Sequence, residues 1–374
     1  MTPGQNHGAS TAAPQITAFA SAPRKPRKKL IRRTSRDYSQ LLRRTFQMLF
    51  LAWNVYLGFV FYHWVRQFEG AASTAVISRP PGVEGWLPIA GMMNFKYWVT
   101  TGSVPVIHPA GMFLLVTFVS ISFLFRKAFC SWLCPIGTLS EYLWKGGQKL
   151  VRRNLSLPRW LDIPLRGLKY LLLGFFVWAV ASMSAAAIAE FMHTPYGIIA
   201  DVKMLNFFRH IGETGLVILG VLVGRSVLVK NLWCRYLCPY GALLGLTSMF
   251  SPARIRRNPT ACIDCAKCAK VCPAALPVDR LISIKSAECT ACMECVAICP
   301  AKDALDVALP RVLPKQGRIP AWALATGIAV LLFGIFGLAK SSGHWQTNLP
   351  DSVYRQLVPQ ADRASHPMPG DMER

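Results

Sequence analysis

Residues 130–137 read CSWLCPIG, and residues 234–241 read CRYLCPYG. Cys, Leu, Cys, Pro and Gly recur at an offset of 104, with Trp132 opposite Tyr236. Arg126 and Lys127 precede the first phrase, Arg225 and Lys230 the second, and each phrase closes a long apolar run. On a helical turn, residues four apart share a face. Cys130 with Cys134, and Cys234 with Cys238, would therefore each present two thiols in one direction. Buried structural cysteines are the plain alternative, but they do not require the same Pro-x-Gly after the second thiol in both places.

The surroundings of the phrases set the fold class. The chain has 374 residues, 52% of them hydrophobic and 16% charged. Apolar runs at Phe46–Val65, Met112–Phe125, Tyr170–Ile188, Gly215–Val229 and Ala321–Ala339 approach the roughly 20 residues that cross a bilayer core. The second and fourth reach that length when begun near Val104 and Ile211. With the N-terminus cytoplasmic, 33 of the 42 Lys and Arg fall on the cytoplasmic side: 10 in residues 1–44, 9 in 126–169 and 14 in 225–320. The expectation is an all-α polytopic membrane protein with five transmembrane helices and the C-terminus outside. The first four form two parallel hairpin repeats, related by an axis along the membrane normal. Such an axis would gather the four thiols into one site, suited to an iron–sulfur cluster, zinc or Cu(I).

The net charge of +24 is then mainly a topology signal. The tail APRKPRKKLIRRTSR (22–36) suits acidic lipid head groups, and no aromatic is interleaved with its charges as a nucleic-acid binder would need. RRTFQM (43–48) has the look of a twin-arginine signal. The 42 residues ahead of it, and the Trp, Asn and Tyr in the following run, favour a retained anchor.

The other eight of the twelve cysteines lie in CIDCAKCAKVCP (262–273) and CTACMECVAICP (289–300). Each is Cys-x2-Cys-x2-Cys-x3-Cys-Pro, at an offset of 27, the spacing of bacterial two-cluster ferredoxins. Three thiolates of one loop cap three irons, and the fourth ligand comes from the other motif. One [4Fe–4S] cluster takes Cys262, Cys265, Cys268 and Cys299; the second takes Cys289, Cys292, Cys295 and Cys272. Structural zinc would use Cys-x2-Cys pairs or mixed Cys/His ligands, and a disulfide framework does not suit the reducing side of the membrane. No G-x-G-x-x-G, P-loop or Ser-His-Asp constellation is present. The chemistry left is electron transfer.

The expected organisation is a disordered basic cytoplasmic tail (1–44), a four-helix membrane domain (45–250), a small cytoplasmic α+β ferredoxin domain (251–312) inserted before the last helix, a fifth transmembrane helix (313–340) and a periplasmic tail (341–374). His63, His108, His193 and His210 fall near the outer span ends. They suit quinone, haem or copper contacts, or serve as ordinary interfacial residues beside Tyr62, Trp64, Trp98 and Tyr196. The loop RPPGVEGWLPIAGMMNFKYW (79–98) reads as interfacial or re-entrant, and residues 341–360 as a docking segment or a simple tail.

Paired C-x3-C-P phrases at span ends, followed by a two-cluster ferredoxin, resemble the membrane iron–sulfur proteins related to NapH, NosR and CcoG, over roughly residues 45–310. The resemblance implies a bacterial inner membrane location and electron exchange with a quinone pool or a cytoplasmic donor and with a redox partner protein. The large flavin-binding domain of NosR-like proteins and the C-terminal immunoglobulin-like domain of CcoG-like proteins have no counterpart here. Two function classes stay open: an electron-transfer protein, including a quinol dehydrogenase-type oxidoreductase subunit, and a copper reduction or assembly factor for a respiratory or periplasmic metalloenzyme. The ligand of Cys130, Cys134, Cys234 and Cys238 is open between a third cluster and copper or zinc.

Overall fold

The computed structural model describes residues 30–34, 37–70, 77–152, 155, 157–313 and 316–367. The expected tail lies outside the described residues over 1–29 and 35–36. Where it is described it is ordered: Lys302 N–H donates to Ile31 O at 2.9 Å and Arg33 N–H to Pro300 O at 3.0 Å. The first helix, α1 (Ser39–Arg66), begins before residue 44.

Helices follow wherever the apolar runs lack proline or a capping residue. They are α2 (Pro88–Thr101), α3 (Pro109–Phe125), α4 (Phe129–Trp132), α5 (Pro135–Val151), α6 (Arg159–Ser182), α7 (Ala185–His193), α8 (Pro195–Ile198), α9 (Ala200–Arg209), α10 (Glu213–Leu228), α11 (Pro239–Met249), α12 (Lys267–Val271), α13 (Glu294–Ala297), α14 (Ala321–Ser341) and α15 (Asp351–Leu357). A 3-10 turn covers Pro81–Trp86, so the loop at 79–98 is mostly helical, and it packs on α3.

Among the described residues three helices are long and apolar enough to cross a membrane: Ser39–Arg66, Trp160–Ser182 and Ala321–Ser341. Their outer faces expose large apolar side chains such as Phe59, Phe175 and Leu338, as lipid-facing surfaces do. The other expected spans differ in detail. α3 has 17 residues, about 25 Å at 1.5 Å per residue, because His108 precedes Pro109 and is held out of the right-handed helix at φ 54°. The third run does not continue to Ile188: the helix stops at Ser182, and Ser184 caps α7 by accepting from Ala187 N–H at 3.1 Å. The fourth is a pair, α9 and α10, bent by 83° at the Gly212 cap.

The eight-cysteine segment folds around a three-stranded antiparallel sheet, β1 (Arg254–Arg257), β2 (Leu305–Leu313) and β3 (Gln316–Arg318), in the order β1-β2-β3. The register pairs Ile255 with Val307, both buried against the cluster loops. That core runs on into α3, α4 and α14 through Phe118, Phe129, Trp132 and Ile328. A second core closes the opposite end, where Tyr354 of α15 packs edge-on against Trp64 at 5.0 Å. The segment after α14 therefore docks back on the helices.

Candidate functional site

The two cysteine phrases adopt the same local structure. Cys134 N–H reaches Phe129 O at 2.9 Å and Cys238 N–H reaches Trp233 O at 3.0 Å, a five-residue π turn in each case. Each second cysteine then caps a helix whose first residue is proline, where the missing N–H is no loss. The cap is the sulfur itself: Gly137 N–H donates to Cys134 Sγ at 3.4 Å, and Gly241 N–H to Cys238 Sγ at 3.2 Å. Both sulfurs thus sit at the positive end of a helix dipole. Gly137 is required by space, since a Cβ there would stand 2.2 Å from Cys130 O.

The phrases converge. Cys130, Cys134, Cys234 and Cys238 all line the floor of one apolar cavity of about 1470 Å³, beside Lys127 and Tyr240. Each lies within electrostatic reach of others across the two phrases. Burial pushes the Cys130 thiol up to about 12 and Cys134 up to about 11, against the neighbouring Lys127 charge. Ionising these thiols therefore calls for a bound cation. Among the described residues no three His, Cys, Asp or Glu side chains close on one point as a single-ion site would.

The residues between the thiols explain the aromatics. Trp132 is wholly buried and donates its indole N–H to Ala291 O at 3.2 Å, while Ser131 Oγ donates to Thr290 O at 2.5 Å. The first phrase is thereby bonded to the backbone of the second ferredoxin loop. Tyr236 diverges and donates to Asp162 Oδ1 at 2.6 Å, in the first turn of α6.

In the ferredoxin segment the structure places Cys262, Cys265, Cys268 and Cys299 in one group. Cys272, Cys289, Cys292 and Cys295 line a second, smaller cavity. Left-handed residues recur at the same offset of 27: Asp264 with Ala291, and Ala266 with Met293. Such residues turn successive backbone N–H groups into anion-binding nests, as iron–sulfur sites use. Arg126 lies against Cys289 with its Nε and Nη1 buried and unbonded among the described residues, while Nη2 donates to Ser286 O. Orphaned guanidinium donors beside thiol sulfur fit an anionic group bound there.

Ion pairs join this segment to the helices, and sequence reasoning missed them. Arg43 of α1 is fully buried, bonds Glu141 bidentately at 2.6 and 2.6 Å, and reaches Glu294 at 3.1 Å. Lys169, buried on α6, meets Glu288 at 2.6 Å. The available signal was a charge inside or beside an apolar run.

The four outer histidines are not brought together. His63, His193 and His210 are exposed. His108 is buried, with Nδ1 3.0 Å from Arg79 Nη2 and Nε2 2.9 Å from Gly197 O. Arg79 also holds Glu84 at 2.7 Å and Asp201 at 2.6 Å, and Thr347 Oγ1 donates to Glu84 at 3.1 Å. This network ties together four segments, at residues 79–84, 108, 197–201 and 347, at the end opposite the ferredoxin segment.

Comparison with known proteins agrees with these positions. A 4Fe-4S binding domain model matches twice, over residues 107–158 and 211–258, each match containing one cysteine phrase. A 4Fe-4S dicluster domain model matches residues 254–300. The chain is 50% identical over 326 residues to the putative electron transport protein YccM of Escherichia coli, covering 87% of this chain and 91% of that protein. It is 29% identical over 167 residues to the ferredoxin-type protein NapH of Haemophilus influenzae, covering 44% of this chain and 53% of that one. With the regulatory protein NosR of Pseudomonas aeruginosa the figures are 30% over 169 residues, 43% and 22%. No solved structure matches. The chain belongs to the NapH/NosR-like family of membrane 4Fe-4S ferredoxin-type proteins.

Proposed function

We propose that this protein carries electrons between a lipid-soluble quinone, or a cytoplasmic donor, and a redox partner protein, through three iron–sulfur centres. The observation that carries the reading is the convergence of Cys130, Cys134, Cys234 and Cys238 at the floor of an apolar cavity, on the side bonded to the ferredoxin loops. Cys262, Cys265, Cys268 and Cys299 hold one [4Fe–4S] cluster, and Cys289, Cys292, Cys295 and Cys272 hold another. The four phrase cysteines hold the third centre. Four thiols that line one cavity suit a polynuclear cluster in which each thiolate binds its own iron.

When bound, such centres supply one-electron storage at a potential set by charge, hydrogen bonding and solvent. The chain's own residues do the rest. Phe118, Phe129 and Tyr240 pack around the phrases and keep water away. Trp132 and Ser131 fix the spacing between the phrase and the second ferredoxin loop. The cavity, walled by α1, α6, α10 and α14 side chains such as Phe50, Phe176, Ile218 and Phe333, accepts an apolar ring and tail. In this reading α3 and the α9–α10 pair complete five spans, the hairpins repeat in parallel, and the ferredoxin domain lies on the cytoplasmic face of a bacterial inner membrane.

Anaerobic purification of the full chain followed by iron and sulfide analysis tests it. Twelve irons, about four per centre, with a reduced-cluster EPR signal that appears on adding a quinol analogue, is the expected result. Eight irons with free phrase thiols would sink the third centre, and copper in their place would favour metal handling.

A further inference from the structure

Lys127 stands three residues before Cys130 and is 2% exposed. Its side chain lines the cavity together with the four phrase cysteines. Among the described residues its ammonium has no hydrogen bond and no ion pair. Glu288 lies within electrostatic reach, but that carboxylate is already engaged by Lys169 Nζ at 2.6 Å and Tyr170 OH at 3.3 Å. Two buried ammonium groups therefore face one carboxylate.

An uncompensated charge in a low-dielectric interior is strongly destabilising, and buried charges are paired or neutralised. Four neutral thiols contribute no countercharge. Four thiolates around a [4Fe–4S]²⁺ core carry a net charge of about −2, which would balance the surplus. The adjacent residue shows the contrast. Arg126 turns to the other side of the same loop and serves the second ferredoxin quartet at Cys289. Consecutive cations thus address different cysteine groups.

We propose that Lys127 is the countercation of the four-cysteine centre, a positioning and potential-tuning residue that favours the more negative, reduced form of that centre. The proposal rests on the reading that the phrase cysteines hold an iron–sulfur centre. Charge near a cluster is one of the terms that set its potential. A fixed positive charge beside the cavity floor raises the potential there, which favours electron entry from the membrane side.

The test uses the full chain in detergent, reconstituted anaerobically with ferrous iron and sulfide, as wild type, Lys127→Met and Lys127→Arg. Iron and sulfide are counted, and each centre's midpoint is read by EPR redox titration. Lys127→Met, which keeps the stem and removes the charge, is expected to shift the phrase-cysteine centre to lower potential while the ferredoxin signals stay put. Lys127→Arg is expected to restore it. Loss of four irons in the Met variant but not in the Arg variant supports the same role. Full metal with an unchanged midpoint in Lys127→Met overturns the proposal, as does equal loss in both variants, which marks a packing role. Eight irons in the wild type overturns the underlying reading as well, and is seen before any variant is made.

Discussion

The indole N–H of Trp132 donates to the carbonyl oxygen of Ala291 at 3.2 Å. Trp132 lies between the thiols of the first membrane phrase, and Ala291 between Cys289 and Cys292 of the ferredoxin loop. One buried bond therefore links two cysteine groups. Trp132→Phe should keep most of the packing but strand a buried carbonyl, lowering stability by about 1–3 kcal/mol. A thermal melt of the purified chain measures it. Trp132→Ala should be worse, at roughly 3–5 kcal/mol, through the cavity it opens.

The two phrase glycines, matched in sequence, should respond differently to alanine. At Gly137 the added Cβ would meet Cys130 O at 2.2 Å, whereas at Gly241 the nearest atoms are Cys238 Sγ at 3.5 Å and Cys234 O at 3.7 Å. Gly137→Ala is expected to displace the Cys130 backbone, destabilise by about 1–3 kcal/mol or more and lower bound iron. Gly241→Ala should be tolerated, with a helix gain of up to about 1 kcal/mol. Equal iron content in the two variants would contradict the clash.

Glu84 and Arg79 make the stability of the end opposite the ferredoxin segment depend on acid pH. Burial alone would raise the Glu84 carboxyl, but the charge of Arg79 and the bond to His108 hold it down at about 2. A depressed carboxyl stabilises fully above its unfolded value near 4.5 and loses that contribution as pH falls through about 2. The melting temperature should therefore decline through this acid window. Glu84→Gln should start lower at pH 7 and show a flatter decline between pH 5 and 2.

Arg43 pins α1 to both α5 and the ferredoxin segment through Glu141 and Glu294. Arg43→Met leaves the two carboxylates with Lys145, at 2.5 Å from each, and Glu141 with the amide of Gln47 at 3.0 Å. Removing one partner of such a buried network is expected to cost about 3–5 kcal/mol. Iron should be lost from the dicluster domain at a lower temperature than in the wild type, and limited proteolysis should cut earlier. Unchanged cleavage would show that the pair carries no docking energy.

Much of this was legible in the chain. The quartet spacing and the duplicated phrase carry their meaning locally, because a loop of fixed length can place its thiols only so far apart. The apolar runs signalled a membrane protein for the same reason: hydropathy is a property of each segment. Helix ends were less legible. His108 sets the start of α3 through the proline after it, and Ser184 restarts the chain as α7. Such caps depend on single residues inside a run that otherwise reads as continuous.

Covalent spacing and hydropathy, which need no distant partner, determined the iron–sulfur character and the membrane class. The tertiary structure decided which side chains serve those sites. Arg126 and Lys127 are adjacent in sequence yet face different cysteine groups. Glu84 is buried beside Arg79 of its own loop, and beside His108 and Thr347, which arrive from separate segments. A buried charge is stable only beside its countercharge, and that neighbour is supplied by the fold.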